Sequence, residues 1–281
     1  MKIPAILFIS LIFLTSNAAA DNRERTLCGS IQEPFLFWLW STAAPNPDQD
    51  RALVSPLVEQ TQFTTSDNKI LRGYRYNSHN GENKRIRAEG YVLMALGNAM
   101  LADQIITSLK YLSSSGFDVY IFDYRGYGNS EGKRRINAII EDYKEIIDSL
   151  NSKYDKRLLY GVSLGGAVIM NAIGSGVEYD SAVIDSSPSR FSDFGCPEPI
   201  DPVNNLPDDA SKIFVITGKE DQVLDSDMTA PLREEAQRRG AKVLDGVNFS
   251  HPYMDRSLEA HLARMKLIQD YFTEVQTEPY E

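Results

Sequence analysis

The pattern of apolar and polar positions predicts strands and helices that alternate along most of the chain. The predicted strands are Val58–Thr64, Ile70–Tyr76, Ala88–Leu96, Val119–Phe122, Arg157–Tyr160, Ser181–Ile184, Lys212–Ile216 and Lys242–Leu244. The predicted helices are Leu101–Ser114, Ile136–Leu150, Leu164–Ile173, Thr229–Arg239 and Ser257–Phe272. Two early strands followed by this alternation indicate an α/β fold, with a mostly parallel sheet and helices on both faces. Ligands of such sheets bind at the carboxyl ends of the strands.

The first twenty residues have the pattern of a secretory signal peptide. Lys2 supplies the positive start, Ile3–Leu14 is almost wholly apolar, and Ala18-Ala19-Ala20 offers a cleavage site. The apolar run is shorter than the roughly 20 residues that a spanning helix needs. We therefore expect export to the periplasm or the medium after cleavage of residues 1–20, with an uncleaved anchor as the alternative.

The remaining chain divides into a lead-in at 21–56, one domain at 57–275 and a short tail at 276–281. The lead-in carries several prolines and the stretch "PFLFWLW", which is too short to cross a bilayer. We expect this stretch to pack against the domain. A contact with a membrane interface is the less favoured alternative.

Charge and composition exclude several classes of partner. The chain has 281 residues with a formal net charge of −10, and 42% of them are hydrophobic. Such an acidic chain cannot bind nucleic acid by neutralising phosphates, and it gains little from anionic lipid. The apolar fraction is sufficient for a buried core. The sequence leaves the oligomeric state open.

No cofactor is expected. The sequence has neither a phosphate-binding glycine loop followed by Lys and Ser or Thr, nor a dinucleotide-binding fingerprint. No spacing of His, Cys and Asp indicates a metal site.

Cys28 and Cys196 are the only two cysteines. In an exported protein an even pair is consistent with one disulfide, which would tie the lead-in to the loop around "FGCPEPIDP". Two buried thiols are the alternative. Neither residue has the surroundings of a catalytic thiol.

The stretch "LLYGVSLGGAVIM" supplies the main candidate for catalysis. Ser163 lies between a predicted strand and a predicted helix, with Gly161 two residues before it and Gly165 two residues after. A sharp strand-to-helix turn strains the serine backbone and crowds its neighbours, and glycine at those two positions relieves the crowding. We therefore predict that Ser163 is a nucleophile.

A serine nucleophile needs a base, and the chain has three histidines. His79 lies in a polar turn upstream of the serine, and His261 lies within the last predicted helix. His251 follows a short strand and precedes that helix, so it should lie on a loop at the carboxyl edge of the sheet. His251 is the predicted base.

The acid that orients the base should lie between the two. Asp221 follows the end of the predicted strand at Lys212–Ile216 and can reach the sheet edge. Glu220 is the alternative. Asp225 and Asp227 are interpreted as the cap and first-turn charge of the next helix.

The order Ser163, Asp221, His251 resembles the triad order of the α/β-hydrolase superfamily. The resemblance covers about residues 57–275. "FDYRGYGNSEG" is similar to the loop after the fourth strand in the lid-poor serine hydrolase or esterase branch, "ALGNAM" to its oxyanion turn and "TGKEDQV" to its acid loop. It implies an eight-stranded, mostly parallel sheet with only a short lid segment.

In that branch the oxyanion turn usually reads His-Gly-Asn-Ala, whereas Leu96 stands here before Gly97-Asn98-Ala99. The resemblance assigns the oxyanion to the backbone N–H groups of Asn98 and Leu164. Backbone donors survive a side-chain change, but the missing imidazole removes a support for the turn. One misplaced donor costs about 10² to 10³ in rate.

The resemblance also makes the loop from Phe122 to Gly132 chiefly structural. It assigns Asp123 and Arg125 to bracing the turn and Gly126 and Gly128 to bending it. Arg125, Tyr127 and Asn129 are the alternative candidates for substrate contact.

A serine nucleophile fits acyl transfer to a small-molecule or acylated substrate, and we expect an ester or a thioester. The segment between Asp185 and Ile213 is short and rich in proline, so it can form a rim but not a closed lid. An open site is expected. A serine peptidase or amidase with the same triad and a non-catalytic binding protein of the same fold are the alternatives.

Overall fold

The computed structural model describes residues 23–274. The predicted signal peptide at 1–20 and the tail at 276–281 lie outside the described residues.

Within residues 23–274, eight strands form one sheet. They are β1 (Val58–Thr64), β2 (Ile70–Tyr76), β3 (Gly90–Ala95), β4 (Phe117–Phe122), β5 (Lys156–Val162), β6 (Ser181–Asp185), β7 (Ile213–Gly218) and β8 (Lys242–Gly246). Their order across the sheet is β1-β2-β4-β3-β5-β6-β7-β8. The pairs β1·β2 and β2·β4 are antiparallel, and the other pairs are parallel. The predicted α/β fold, with a mostly parallel sheet and helices on both faces, is confirmed.

All eight predicted strands are present, and the first two have the predicted bounds. The central strands β3, β4 and β6 are buried at every position. Both faces of a parallel sheet are covered by helices, which is why these strands are near-continuous apolar runs in the sequence.

The longer helices are α1 (Gln32–Ser41), α5 (Ile136–Asn151), α6 (Leu164–Gly174), α7 (Ser226–Arg238) and α8 (Leu258–Glu274). The short ones are α2 (Gln49–Ala52), α3 (Ala102–Ile105) and α4 (Lys110–Ser113). Asp225 caps α7 by accepting a hydrogen bond from the backbone N–H of Met228 at 3.0 Å, and Asp227 lies in its first turn, as predicted.

The helix predicted over Leu101–Ser114 is interrupted. A 3₁₀ turn at Ile106–Leu109 separates α3 from α4. The interruption falls at three consecutive β-branched residues, Ile105, Ile106 and Thr107, whose side chains disfavour a regular helix.

Helix α1 was not predicted from the sequence, although its stretch "PFLFWLW" was expected to pack against the domain. Phe37 is buried in the common core, whereas Phe35, Trp38 and Leu39 are exposed. The helix is apolar on both its buried and its exposed side, so no helical period marks it in the sequence.

Candidate functional site

Ser163 occupies a strained turn between β5 and α6. Its φ of 51° and ψ of −118° lie in a region that residues other than glycine rarely adopt. A Cβ on Gly161 would lie 2.6 Å from the carbonyl oxygen of Gly165, and a Cβ on Gly165 would collide with the carbonyl of Ala95. Both glycines are therefore required by the close approach of the backbone, as the sequence motif indicated.

The backbone N–H of Ser163 donates to the carbonyl oxygen of Asp185 at 2.9 Å. Asp185 is the last residue of β6, the strand next to β5 in the sheet. The turn that carries Ser163 is thus attached to the carboxyl end of the neighbouring strand.

Asp221 and His251 are in direct contact. Nδ1 of His251 lies 2.9 Å from Oδ2 of Asp221, and the Asp221 side chain is almost completely buried. Its other oxygen, Oδ1, accepts the backbone N–H groups of Val223 at 2.8 Å and Leu224 at 3.0 Å. Burial alone would raise the pKa of Asp221, but the bonds from His251 and these N–H groups hold it below its usual value.

The alternative acid and the alternative bases lie elsewhere. Glu220 forms an ion pair with Arg256 at 2.6 Å. His79 is buried beside Ser113, whose Oγ lies 3.2 Å from Nδ1, and burial lowers the pKa of His79. His261 lies on α8 with its Nδ1 3.7 Å from Asp255.

Ser163 and His251 line the same cavity, whose volume is about 380 Å³. The rest of its lining is predominantly apolar and comes from several parts of the chain. Leu36 and Phe37 belong to α1, and Phe191 and Phe194 belong to the rim between β6 and β7. The remaining lining residues include Val223, Leu224, Met228 and Met254.

The rim and the lead-in are covalently joined. Cys28 and Cys196 form a disulfide, and both line the cavity. The Gln32 side chain adds a hydrogen bond from its Nε2 to the carbonyl of Phe194 at 2.8 Å. Helix α1 therefore forms a wall that the sequence analysis, which expected an open site, did not foresee.

Glu33 holds this wall in place, a role that was not predicted from the sequence. It is buried at 1% exposure. Its Oε2 accepts the backbone N–H groups of Leu27 at 2.6 Å and Cys28 at 2.9 Å, and its Oε1 accepts that of Ile136 at 3.0 Å. Ile136 is the first residue of α5, where a carboxylate satisfies an N–H group that has no partner within the helix. A lone Glu in an apolar stretch gives no sequence signal of this role.

The two residues predicted to supply oxyanion donors also line the cavity. Leu164 is the first residue of α6, and the first N–H groups of a helix have no partner within that helix. Asn98 lies in the turn after β3, and the Cβ atom that Gly97 lacks would lie 3.6 Å from Cβ of Ser163. The turn is therefore adjacent to the serine.

Two tyrosines support the turn in which Leu96 replaces the usual histidine. The Tyr124 hydroxyl donates to the carbonyl of Leu96 at 2.6 Å, and the Tyr127 hydroxyl donates to Oδ1 of Asn98 at 2.8 Å. Both tyrosines are buried. From the sequence, Tyr127 was an alternative candidate for substrate contact, and no role was predicted for Tyr124.

Asp123 and Arg125 make contacts of the kind expected for bracing. Oδ1 of Asp123 accepts the backbone N–H of Ala102 at 2.7 Å, and its pKa is raised to about 7 by burial. Arg125 is completely buried and contacts Asp142 at 2.7 Å, Asp67 at 2.7 Å and Glu24 at 3.3 Å. Through Glu24 it also attaches the start of the described chain.

Two further findings concern membranes and metal ions. In residues 23–274, no helix is long and apolar enough to cross a membrane. Within the same residues, no cluster of three or more His, Cys, Asp or Glu side chains is placed to hold a metal ion.

Comparison with known proteins gives a partial match in sequence. The family model for serine aminopeptidase, S33 (Hydrolase_4), matches residues 86–193. The uncharacterized protein YfhR of Escherichia coli is 30% identical over 123 residues, which are 42% of this chain and 43% of that protein. The chain thus spans less than half the length of this relative.

Comparison of structures covers most of the fold. The Pyrococcus furiosus esterase Pf2001 matches with a TM-score of 0.60 and 16% identity, over 82% of this chain and 96% of the esterase. A puromycin hydrolase matches with a TM-score of 0.61 and 17% identity, over 80% of this chain and 40% of that protein. The fold resembles those of esterases and of a larger hydrolase. The chain therefore has the α/β fold of these hydrolases, and residues 86–193 match the serine aminopeptidase family model.

Proposed function

We propose that the protein is an exported serine hydrolase that cleaves carboxylic ester or thioester bonds through an acyl-enzyme on Ser163. One observation carries the proposal. His251, which contacts a buried Asp221 side chain at 2.9 Å, lines the same cavity as a serine whose backbone is strained at φ 51°. These are the parts that a serine nucleophile needs.

The proposed reaction begins with attack of Ser163 Oγ on the substrate carbonyl carbon. The imidazole of His251 takes the serine proton and then gives it to the leaving oxygen or sulfur, which departs as an alcohol or thiol. A water molecule then loses a proton to His251 and attacks the acyl carbon. The bond to Ser163 Oγ breaks, His251 returns the proton to that oxygen, and a carboxylic acid is released.

Asp221 holds the imidazole in the tautomer with the proton on Nδ1 and stabilises the imidazolium. The low pKa of Asp221 supports this role, since the carboxylate remains an acceptor while the imidazole carries its second proton.

The backbone N–H groups of Asn98 and Leu164 are proposed to hold the oxyanion. Such donors are already oriented toward the position of the oxyanion before the reaction starts, so they need not rearrange during it. The hydroxyls of Tyr124 and Tyr127 would keep the Asn98 turn in place where the family's histidine is missing.

The chemistry of the cavity favours an acyl substrate over a peptide with a free amino terminus. A site for an α-ammonium group needs an available carboxylate. Among the described residues that line the cavity, Glu33 is the single carboxylate, and both of its oxygens already accept backbone N–H groups. The apolar lining from α1 and the rim fits an acyl chain.

The proposed export is supported by the disulfide between Cys28 and Cys196, since such bonds persist in oxidising compartments. It is also consistent with the signal-like pattern of residues 1–20.

A fluorophosphonate probe tests the proposal, because it modifies only serines that are activated as nucleophiles. We expect labelling of the wild type, loss of labelling in Ser163→Ala and a sharp decrease in His251→Ala. His79→Gln, at a buried histidine away from the cavity, is the matched control and should retain labelling.

The absence of labelling in a folded wild-type protein would favour a binding protein and contradict the proposal. Panels of p-nitrophenyl esters and of aminoacyl p-nitroanilides then separate the esterase from the peptidase. Faster turnover of the anilides would favour the peptidase alternative.

A further inference from the structure

We propose that Arg264, together with Asp185 and Asp255, is a positioning cluster that connects the turn of Ser163 to the loop of His251. The inference rests on the proposed function, because it assigns these residues a role in holding the nucleophile and the base in a fixed relative position. All three side chains are at 0% exposure, although each bears an ionisable group. The proposed reaction assigns no direct role to any of them.

The cluster reaches the nucleophile through Asp185. Nη1 of Arg264 lies 2.6 Å from Oδ1 of Asp185, and the backbone carbonyl of the same residue accepts the N–H of Ser163 at 2.9 Å. Asp185 thus binds the serine turn with its main chain and the arginine with its side chain. The Tyr160 hydroxyl, at 3.4 Å, contacts the other carboxylate oxygen.

The cluster reaches the base through the residue before His251. Nη2 of Arg264 donates to the backbone carbonyl of Ser250 and to Oδ1 of Asp255 at 3.0 Å. The same Oδ1 accepts the backbone N–H of Ser250 at 3.0 Å. Both polar groups of the Ser250 main chain are therefore held by this one ion pair.

The loop closes on itself at the base. The carbonyl of His251 accepts the N–H of Met254 at 2.8 Å, and Tyr253 has a φ of 65°. Residues 250–255 thus form a tight turn whose two ends meet at Arg264. A movement of the guanidinium would displace His251 with the whole turn.

Burying ionisable groups in this way is an inefficient means of stabilising the fold. Taking charges out of water costs much of what their attraction returns, and well-packed apolar residues are often as good. What the cluster supplies is direction, since a planar guanidinium with fixed donors links one carboxylate and one loop at defined angles. A displacement of about 1 Å in a catalytic group can cost about 10² in rate.

The test compares two buried carboxylates that each accept one backbone N–H and lie near one arginine. Asp255 also lies 3.7 Å from Nδ1 of His261, and Asp118 also accepts the Tyr154 hydroxyl at 2.7 Å. Asp118, at the opposite, amino end of β4, accepts the backbone N–H of Ser78 at 2.8 Å and lies 3.9 Å from Arg75. Asp255→Asn and Asp118→Asn keep the shape and remove the charge at each place.

The readouts are kcat and KM for p-nitrophenyl butyrate, the fraction of molecules labelled by fluorophosphonate and the unfolding temperature. We expect Asp255→Asn to lower kcat about tenfold with KM within about twofold, and Asp118→Asn to leave kcat unchanged. Arg264→Lys should retain more of kcat than Arg264→Met, because the charge remains but the fork geometry is lost.

The proposal is overturned if Asp255→Asn and Arg264→Lys fold and keep kcat within about twofold of wild type. It is also overturned if both variants fail to fold, since the cluster would then serve the stability of the fold. An unlabelled, inactive wild type would instead count against the proposed function, so the two failures are distinguishable.

Discussion

The carboxyl edge of the sheet and the wall formed by α1 face the same cavity but are fixed in different ways. At the sheet edge, Ser163, Asp221 and His251 follow strands β5, β7 and β8, and backbone contacts between neighbouring strands hold their loops. Helix α1 is held by side-chain links instead. The disulfide joins its segment to the rim, and the Glu33 carboxylate joins it to α5.

This difference separates two tasks. Chemistry needs fixed angles and distances, which the ends of a buried sheet provide. Selectivity among substrates needs a surface of suitable shape. A helix attached by a few side-chain links can provide such a surface, and the shape of that surface can vary. Changes at the sheet edge should therefore alter kcat, whereas changes at the wall should alter the preference among substrates.

The largest effect is expected at the acid. Asp221→Asn keeps the shape of the side chain but removes the charge and permits the wrong imidazole tautomer, so kcat should decrease by about 10⁴. Esterase kinetics with p-nitrophenyl butyrate measure it. Glu220→Gln, one residue away and paired with Arg256 on the surface, is the matched control and should retain full activity. Equal losses in both variants would contradict the assignment of Asp221.

A smaller effect is expected at the support of the oxyanion turn. The double variant Tyr124→Phe, Tyr127→Phe removes two hydroxyls and leaves both rings, so the Asn98 turn should loosen and kcat should decrease by about 10² at most. The binding of substrate should change little. Tyr154→Phe, whose hydroxyl contacts Asp118 far from the cavity, is the control. Unchanged kcat in the double variant would show that the turn needs no such support.

The wall should respond in selectivity and stability. Replacing both Cys28 and Cys196 by serine releases a link between residues 168 positions apart, which should lower the free energy of unfolding by about 2 to 5 kcal/mol. The ratio of kcat/KM for p-nitrophenyl palmitate over butyrate should increase about tenfold, because α1 can move away from the cavity. A loss of stability with an unchanged ratio would show that the wall does not determine the preference for acyl chain length.

The smallest effect is expected at low pH and concerns Asp67, which pairs with Arg125, the residue that attaches the lead-in through Glu24. Bonds from Arg125 and Thr65 outweigh burial and lower the pKa of Asp67 to about 2. A carboxyl group with a lowered pKa contributes stability above its unfolded value, about 3.9, and this stability is lost as the pH falls toward the folded value. Wild type should thus exceed Asp67→Asn in stability at neutral pH, with the difference disappearing between about pH 4 and pH 2. Chemical denaturation at several pH values measures it, and a difference that persists at pH 2 would contradict the assignment.

The fold and the candidate triad were accessible from the sequence because each depends on a local pattern. The apolar runs of β3 to β7 reflect a sheet covered on both faces, and the spacing of Gly161, Ser163 and Gly165 reflects backbone crowding in one turn. Asp221 and His251 were found by their positions after strands, and the structure places them in contact. Their catalytic roles stay a proposal.

The missed features depend on contacts distant in sequence. Arg264 lies in an ordinary helix pattern, where an arginine usually faces water, and only the pairing with Asp185 and Asp255 accounts for its burial. The sequence indicated the disulfide and the start of α5, but not that Glu33 joins the two or that α1 lines the cavity. The sequence therefore indicated the sheet edge that carries the candidate triad and not the wall that faces it.

The most direct test of the account is a rapid-quench experiment with p-nitrophenyl butyrate followed by peptide mass mapping. We expect a burst of one p-nitrophenol per active site and a butyryl group on the peptide that contains Ser163, with no burst in Ser163→Ala. A burst that persists in Ser163→Ala, or a butyryl group found only on another residue, would contradict it.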